Sequence, residues 1–219
     1  MIFTDVVARL EAGLRTTLPG PRAQDRLAPV PRREWPAGAS PARVRDAAGL
    51  LLVYPKEKTG FFPSRDAAHI ILTVRADALR HGGQVSLPGG VVDPGETYEQ
   101  AAMREAHEEV ALALDEVRVL GPLTPLDIPV SGFRLHPIVA TLPTRPQLTA
   151  SDDEVARILE IGVDELLNPE HFVTTERHRD AVAFTVPAFR IRGVEIWGAT
   201  AMVLAEFLAV LGWPDQRAP

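Results

Sequence analysis

Three glutamates within five residues, Glu105, Glu108 and Glu109, are the side chains in this sequence best spaced to do chemistry. On a helix turning about 100° per residue, Glu108 falls about 60° to one side of Glu105 and Glu109 about 40° to the other. The three carboxylates then share roughly a third of the circumference. Met103, Ala106 and Val110 fall mostly on the opposite side, which leaves an apolar face to pack. Like charges at this spacing repel by a few tenths of a kcal/mol per pair, about the strength of other surface pairs on a helix. A hard divalent cation would remove that repulsion, since Mg²⁺ takes carboxylates, waters and substrate phosphates. Taken alone, the three glutamates also fit an ordinary solvated acidic face.

The residues around them are the elements that must position such a cluster. Gly89-Gly90 and Asp93-Pro94-Gly95 read as a loop, with turn chemistry and room for close backbone approach. Thr97 is placed to cap a helix, and the good helix formers Glu99, Gln100, Ala101, Ala102, Met103 and Arg104 follow.

The spacing continues beyond the glutamates. Gly90 is followed by Glu96, then Arg104-Glu105, apolar Ala106, Glu108-Glu109 and apolar Leu112. This pattern resembles the Nudix box, the signature of hydrolases that cleave nucleoside diphosphates linked to another moiety. The single departure is Ala111, where that family usually has glycine. The position ends the helix, where glycine favours the left-handed conformation. Alanine there costs about 1 kcal/mol in strain but removes no ligand.

The resemblance implies an α/β chain with the Nudix fold, a mixed β-sheet sandwiched between α-helices. It implies Mg²⁺ or Mn²⁺ held by Glu105 and Glu109, with Glu108 completing or bridging the site. Glu108 and Glu154 both remain open as the carboxylate that deprotonates or orients the attacking water. Arg104 is expected to orient the glutamates, Glu96 to fix the loop to the helix, and Gly89-Gly90 to let backbone approach metal or phosphates.

The segment feeding the box sharpens the substrate. Ile71-Leu72-Thr73, Arg75, Ala76, Arg80, Gly83 and Pro88-Gly89-Gly90 resemble the extra motif of the coenzyme A pyrophosphatase branch. Only His81 and Gly82 separate Arg80 from Gly83, one residue fewer than usual, and Leu87 replaces the usual Phe. Arg75 and Arg80 are fixed cations suited to phosphate oxygens. Their chemistry alone leaves structural ion pairs equally open, and the motif favours the phosphate. The implied reaction splits coenzyme A, or an acyl form, into 3′,5′-ADP and 4′-phosphopantetheine or its acyl form. Two alternatives stand beside it. One is a Nudix pyrophosphatase acting on ADP-ribose, NADH or a dinucleotide. The other is a noncatalytic nucleotide-binding module, which lost box carboxylates would signal.

Along the rest of the chain, residues 4 to 18 read as an amphipathic helix, and residues 19 to 45 as a Pro-rich arm, either an ordered wrap or flexible, with Trp35 as anchor. Strands are expected at 47–54, 69–75, 117–124, 133–142, 155–161, 184–192 and 194–197. Asp152, Asp153 and Glu154 are candidates to join the metal site, with Glu154 preferred at its strand start. Residues 170 to 181 read as charged and mobile or substrate-adjacent. His136 reads as a packed strand residue, and His171 and His178 are not read as metal ligands. Thr200 is expected to cap a last, core-packing helix.

The whole divides into an N-terminal helix and arm (1–45), a hydrolase domain (46–213) and a short tail (214–219). A net charge of −6 argues against nonspecific nucleic-acid binding through a basic surface. The absence of cysteine excludes disulfides and thiolate metal sites within these residues. With no signal-like N-terminus and no long apolar run, a cytoplasmic protein is expected, with a small nucleotide of the coenzyme A class as partner, neither nucleic acid nor membrane, and a homodimer left open.

Overall fold

Two apolar stripes on one central strand organise the molecule. The computed structural model describes the chain apart from residues 36–43, 57–65, 77–81, 152, 180–181 and 215–219. Strand β1 (Arg45–Lys56) sits between β2 (Ala67–Arg75), antiparallel to it, and β7 (Phe133–Thr141), parallel to it. Side chains alternate across a strand. Leu50, Leu52 and Tyr54 therefore join one buried cluster, while Leu51 and Val53 join another on the opposite face. With both faces covered, β1 and β2 are near-continuous apolar runs.

The remaining strands of this eight-stranded mixed sheet are β3 (Val85–Ser86), β4 (Gly89–Val91), β5 (Arg118–Pro122), β6 (Leu126–Ile128) and β8 (Val155–Gly162). The expected glycine loop is thus partly a strand, because β4 pairs antiparallel to β1 with Ala48 opposite Gly90 and Gly49 opposite Gly89. A Cβ on Gly89 would lie 2.3 Å from the Ala48 carbonyl oxygen, so only glycine fits this pairing.

Helix α3 (Tyr98–Val110) packs Ala101, Ala102, Ala106 and Val110 onto the Leu50 face. Its start is a capping box: the Gln100 N–H donates to Thr97 Oγ1 at 3.2 Å and the Thr97 N–H to Gln100 Oε1 at 2.9 Å. Its end is Ala111 at φ 52° and ψ 35°, the left-handed conformation expected there.

The other face is covered by α1 (Phe3–Gly13) and by α5 (Ala199–Val210), whose Val203, Leu204, Phe207 and Leu208 are fully buried. α1 ends five residues before the expected boundary, with Leu14 as its C-cap. Thr200 does not cap α5. Gly198, at φ 64°, holds that position, and Thr200 Oγ1 donates instead to the Val85 carbonyl at 2.9 Å.

The arm is an ordered wrap through Trp35. Short helix α2 (Pro21–Gln24) and a tight turn at Asp25–Leu27 lie against α5. Glu206, fully buried on α5, accepts from the Gly20 N–H at 3.0 Å, Gln24 Nε2 at 2.9 Å and Thr124 Oγ1 at 2.6 Å. Trp35 Nε1 donates to Asp127 at 3.4 Å.

After β8 comes short helix α4 (Val163–Leu167), then a second sheet of β9 (Phe172–Arg179), β10 (Val182–Ile191) and β11 (Val194–Trp197). The charged segment read as mobile or substrate-adjacent is largely a paired strand, with Phe172 to Arg179 opposite Phe189 to Val182. No helix among the described residues is long and apolar enough to cross a membrane.

Candidate active site

Two layers meet at the glycines of β4. On one side lies the α3 helix. On the other lies a cleft of about 1220 Å³, walled by the arm, the loop after β6 and the second sheet. Gly89, Gly90 and Arg75 line that cleft. Behind Gly90, the Glu105 carboxylate occupies the space a Cβ would need, with Oε1 only 2.3 Å from where it would sit. The Gly89 N–H donates to the Glu109 carboxylate. Two strand positions without side chains thus let two carboxylates on α3 come up directly behind the cleft wall.

Glu109 is only 6% exposed, and its Oε2 has no hydrogen-bond partner among the described residues. Burial pushes its pKa up to about 7; the Gly89 N–H and Arg75 oppose this, while the charges of Glu105 and Glu154 add to it. Burial also raises Glu105, against a hydrogen bond from Arg104. Glu154, in the turn before β8, is close enough to both for its charge to bear on them. That turn is tied to α3 and β2, since the Ser151 N–H donates to the Glu109 carbonyl and the Ala76 N–H to the Glu154 carbonyl, each at 2.9 Å.

Arg104 is the hub of the polar face. It donates from Nε to Glu96 at 2.9 Å, from Nη1 to Glu105 at 2.9 Å and to Glu108 at 3.1 Å, and from Nη2 to the Val91 carbonyl at 3.1 Å. The hydrogen bond to Glu96 is the largest of the causes that raise its pKa further. Glu96 also accepts from the Asp93 N–H at 3.1 Å, which ties the turn to the helix.

Glu96, Arg104, Glu105, Glu108, Glu109, Glu154, Gly89, Gly90 and Arg75 are thus gathered in one region. Arg80, His81 and Asp152 lie outside the described residues. Thr73 of the feeder is structural: its hydroxyl lies 3.2 Å from Ser86 Oγ across the β2–β3 pair. His136 is a packed strand residue, 8% exposed, 2.7 Å from Asp46 and stacked on Tyr98. His171 is tied by Nδ1 to the Glu165 carbonyl at 2.7 Å, and His178 lies beside Glu176.

The donor set suits a hard divalent cation. It is all oxygen, and it contains a buried carboxylate oxygen that no donor among the described residues satisfies. Among the described residues no three acidic or histidine side chains converge as a ready ligand set, because Arg104 holds Glu105 and Glu108. Sequence spacing did not disclose the cleft walls, Arg33, Arg45, Phe133 and Trp197 among them. No local signal marks these residues, which are assembled by pairing between distant segments.

A family model described as the NUDIX domain matches residues 54–183. Nudix hydrolases named NudL from Yersinia pestis and Yersinia pseudotuberculosis, both described as uncharacterized, are each 39% identical to the chain over 137 residues, spanning 62% of it and 68% of the relative. A solved Nudix hydrolase from M. Smegmatis, RenU, is 28% identical, with 56% of this chain and 73% of that one covered and a TM-score of 0.47. A MutT/nudix family protein from Enterococcus faecalis is 16% identical over 81% of this chain and 64% of its own, with a TM-score of 0.49. The extent of the domain match and the identity to the NudL proteins place this chain in the Nudix family, as a hydrolase of nucleoside diphosphate derivatives.

Proposed function

We propose that the chain hydrolyses the diphosphate of coenzyme A or its derivatives, giving 3′,5′-ADP and 4′-phosphopantetheine or its acyl form. The observation that carries this reading is the course of the feeder. β2 brings Arg75 to the cleft beside Gly89 and Gly90, where its charge acts on Glu109. Of the matched feeder residues, Arg75, Gly89 and Gly90 therefore lie in one region with the carboxylates.

Glu105 and Glu109 would hold Mg²⁺ or Mn²⁺, with Glu108 completing the set. Nudix hydrolases generally use such ions. A bound ion would draw charge from the phosphoryl oxygens and make a water more acidic. The chain's own residues do the rest. Arg75 offers a planar pair of donors to a phosphate oxygen, and its Nε is buried without a partner among the described residues. A water oxygen forms a new bond to one phosphorus, the P–O–P bridge breaks, and each product leaves with a phosphate. The water's proton passes to a carboxylate, with Glu108 and Glu154 as the two candidates. Arg104 sets the orientation of Glu105 and Glu108, and Glu96 holds Arg104. Gly89 and Gly90 keep side chains out of the way.

The test is a substrate panel of coenzyme A, acetyl-coenzyme A, ADP-ribose, NADH and diadenosine polyphosphates, each with Mg²⁺ or Mn²⁺ and with products identified by mass. Preferential release of 3′,5′-ADP from coenzyme A is the expected result. Preference for another member of the panel would keep the metal chemistry and reject the coenzyme A reading. It would mean that the shortened feeder and Leu87, which is buried at the cleft against Gly49, redirect the pocket. No cleavage of any member, with metal bound, would favour a binding module.

A further inference from the structure

The proposed substrate carries charge in two places: a scissile diphosphate and a separate phosphate on its ribose. The glutamate end of the cleft accounts only for the first. In a chain of net charge −6, the described lining of the cleft includes five arginines and only two carboxylates. Both carboxylates are already occupied, Asp127 by Arg134 at 2.7 Å and Glu195 by Arg177 and Arg190 at 2.6 Å each. Arg32 pairs with Asp25. Arg33, Arg45 and Arg75 have no carboxylate at ion-pair distance among the described residues, so the cleft is a local positive field.

Arg75 stands at the glutamate end. Arg45 stands away from it. Ala48 pairs with Gly90, and Arg45 is three residues farther along β1, about 10 Å at the strand rise. Alternation puts Arg45 on the same face as Ala47 and Gly49, which line the cleft. Its register partner on β7 is Phe133, and the guanidinium lies over that ring, 4.3 Å from the centroid. An aromatic face under a guanidinium fixes its plane and leaves the N–H edge unoccupied. That edge matches the oxygens of a phosphate.

We propose that Arg45, seated on Phe133, binds a second anionic group of the substrate, a ribose phosphate separate from the scissile diphosphate. Arg33 of the arm adds charge to the same cleft. The inference rests on the coenzyme A reading and deepens it, by naming what selects a ribose-phosphorylated nucleotide over one with a bare ribose. Arg45 lies outside the matched domain stretch, residues 54–183.

The experiment is calorimetric titration of the full chain with 3′,5′-ADP and with 5′-AMP, which differ only by the ribose phosphate. Wild type should bind 3′,5′-ADP at least about ten-fold more tightly, the scale of one charge-assisted contact. In Arg45→Gln the ratio should fall below about three-fold, and Arg45→Lys, which keeps the charge and loses the planar edge, should lie between. A wild type without the preference overturns the proposal, as does an Arg45→Gln variant that keeps it with an unchanged melting temperature. Hydrolysis separates the two readings. Wild type that discriminates between the ligands but does not cleave coenzyme A retains the phosphate seat and sinks the coenzyme A reading. Wild type that cleaves coenzyme A and 3′-dephospho-coenzyme A with equal kcat/KM does the reverse.

Discussion

Glu109 on α3 and Glu160 on β8 both lose water on folding, and the fold treats them in opposite ways. For Glu160 burial alone would raise the pKa, but Arg145, Tyr54 and Lys56 donate to it at 2.6–2.9 Å and bring it down to about 2. Glu109 receives the Gly89 N–H, has one oxygen with no donor among the described residues, and is pushed up to about 7. A carboxylate that serves the fold is saturated with donors. One left short of donors at the edge of a cleft has capacity for a cation or a proton. Glu206 makes the same point as Glu160 with neutral donors, since it is fully buried and holds the arm to α5.

The largest expected effect comes from the unsaturated member. Glu109→Gln should cut turnover at least ~100-fold, as loss of a metal ligand does, while circular dichroism shows a folded chain. Near wild-type turnover in the folded variant would remove Glu109 from the site. Its stability should carry the opposite sign. The folded pKa of about 7 lies above the unfolded value of ~4.3, so folding prefers the protonated form. Its stabilisation is full below pH ~4.3 and lost as pH rises through about 7. Without metal, Glu109→Gln should therefore melt about 2–4 °C above wild type at pH 8, and the gap should close near pH 4.

The two glycines of β4 split the same comparison into site and scaffold. Gly90→Ala drives a Cβ against the Glu105 carboxylate, so turnover should fall about ten-fold or more with little change in melting temperature. Gly89→Ala meets backbone at Ala48 and Gly49 instead, and should cost about 1–3 kcal/mol of stability, read from chemical denaturation. Equal behaviour of the two would mean that the strand, not the carboxylate, sets activity.

Glu160→Gln should leave kcat unchanged and lower stability by about 1 kcal/mol, a figure reduced for the exposure of Arg145. Its folded pKa lies below the unfolded one, so the stabilisation is full above pH ~4.3 and lost as pH falls toward about 2. Melting curves of variant and wild type should converge at that acid end. The smallest effect belongs to Ala111→Gly. It relieves the left-handed strain at φ 52° but adds glycine's chain entropy, so a gain of about 0.5 kcal/mol, or about 1–2 °C, is expected.

Local chemistry was legible without a structure. The capping threonine at Thr97, the carboxylate face of α3, the left-handed end at Ala111 and most strands follow from neighbours within a turn or two. Thr200 misled because capping depends on the backbone before it, and Gly198 takes the positive φ there. For the segment after Pro169 only the mobile alternative misled, because its charges pair across strands, as Arg177 does with Glu195, and both of these line the cleft. Long-range pairing decided the rest. It buried Glu109 beneath Gly89, tied the arm to Glu206, and set Arg45 on Phe133 through the parallel register of β1 and β7. The sequence by itself determined which groups could do chemistry, because residue type and helical spacing are local properties. Only the tertiary structure decided which carboxylate keeps one oxygen short of a donor and which arginines face the cleft. Burial and strand register are properties of segments far apart in the chain.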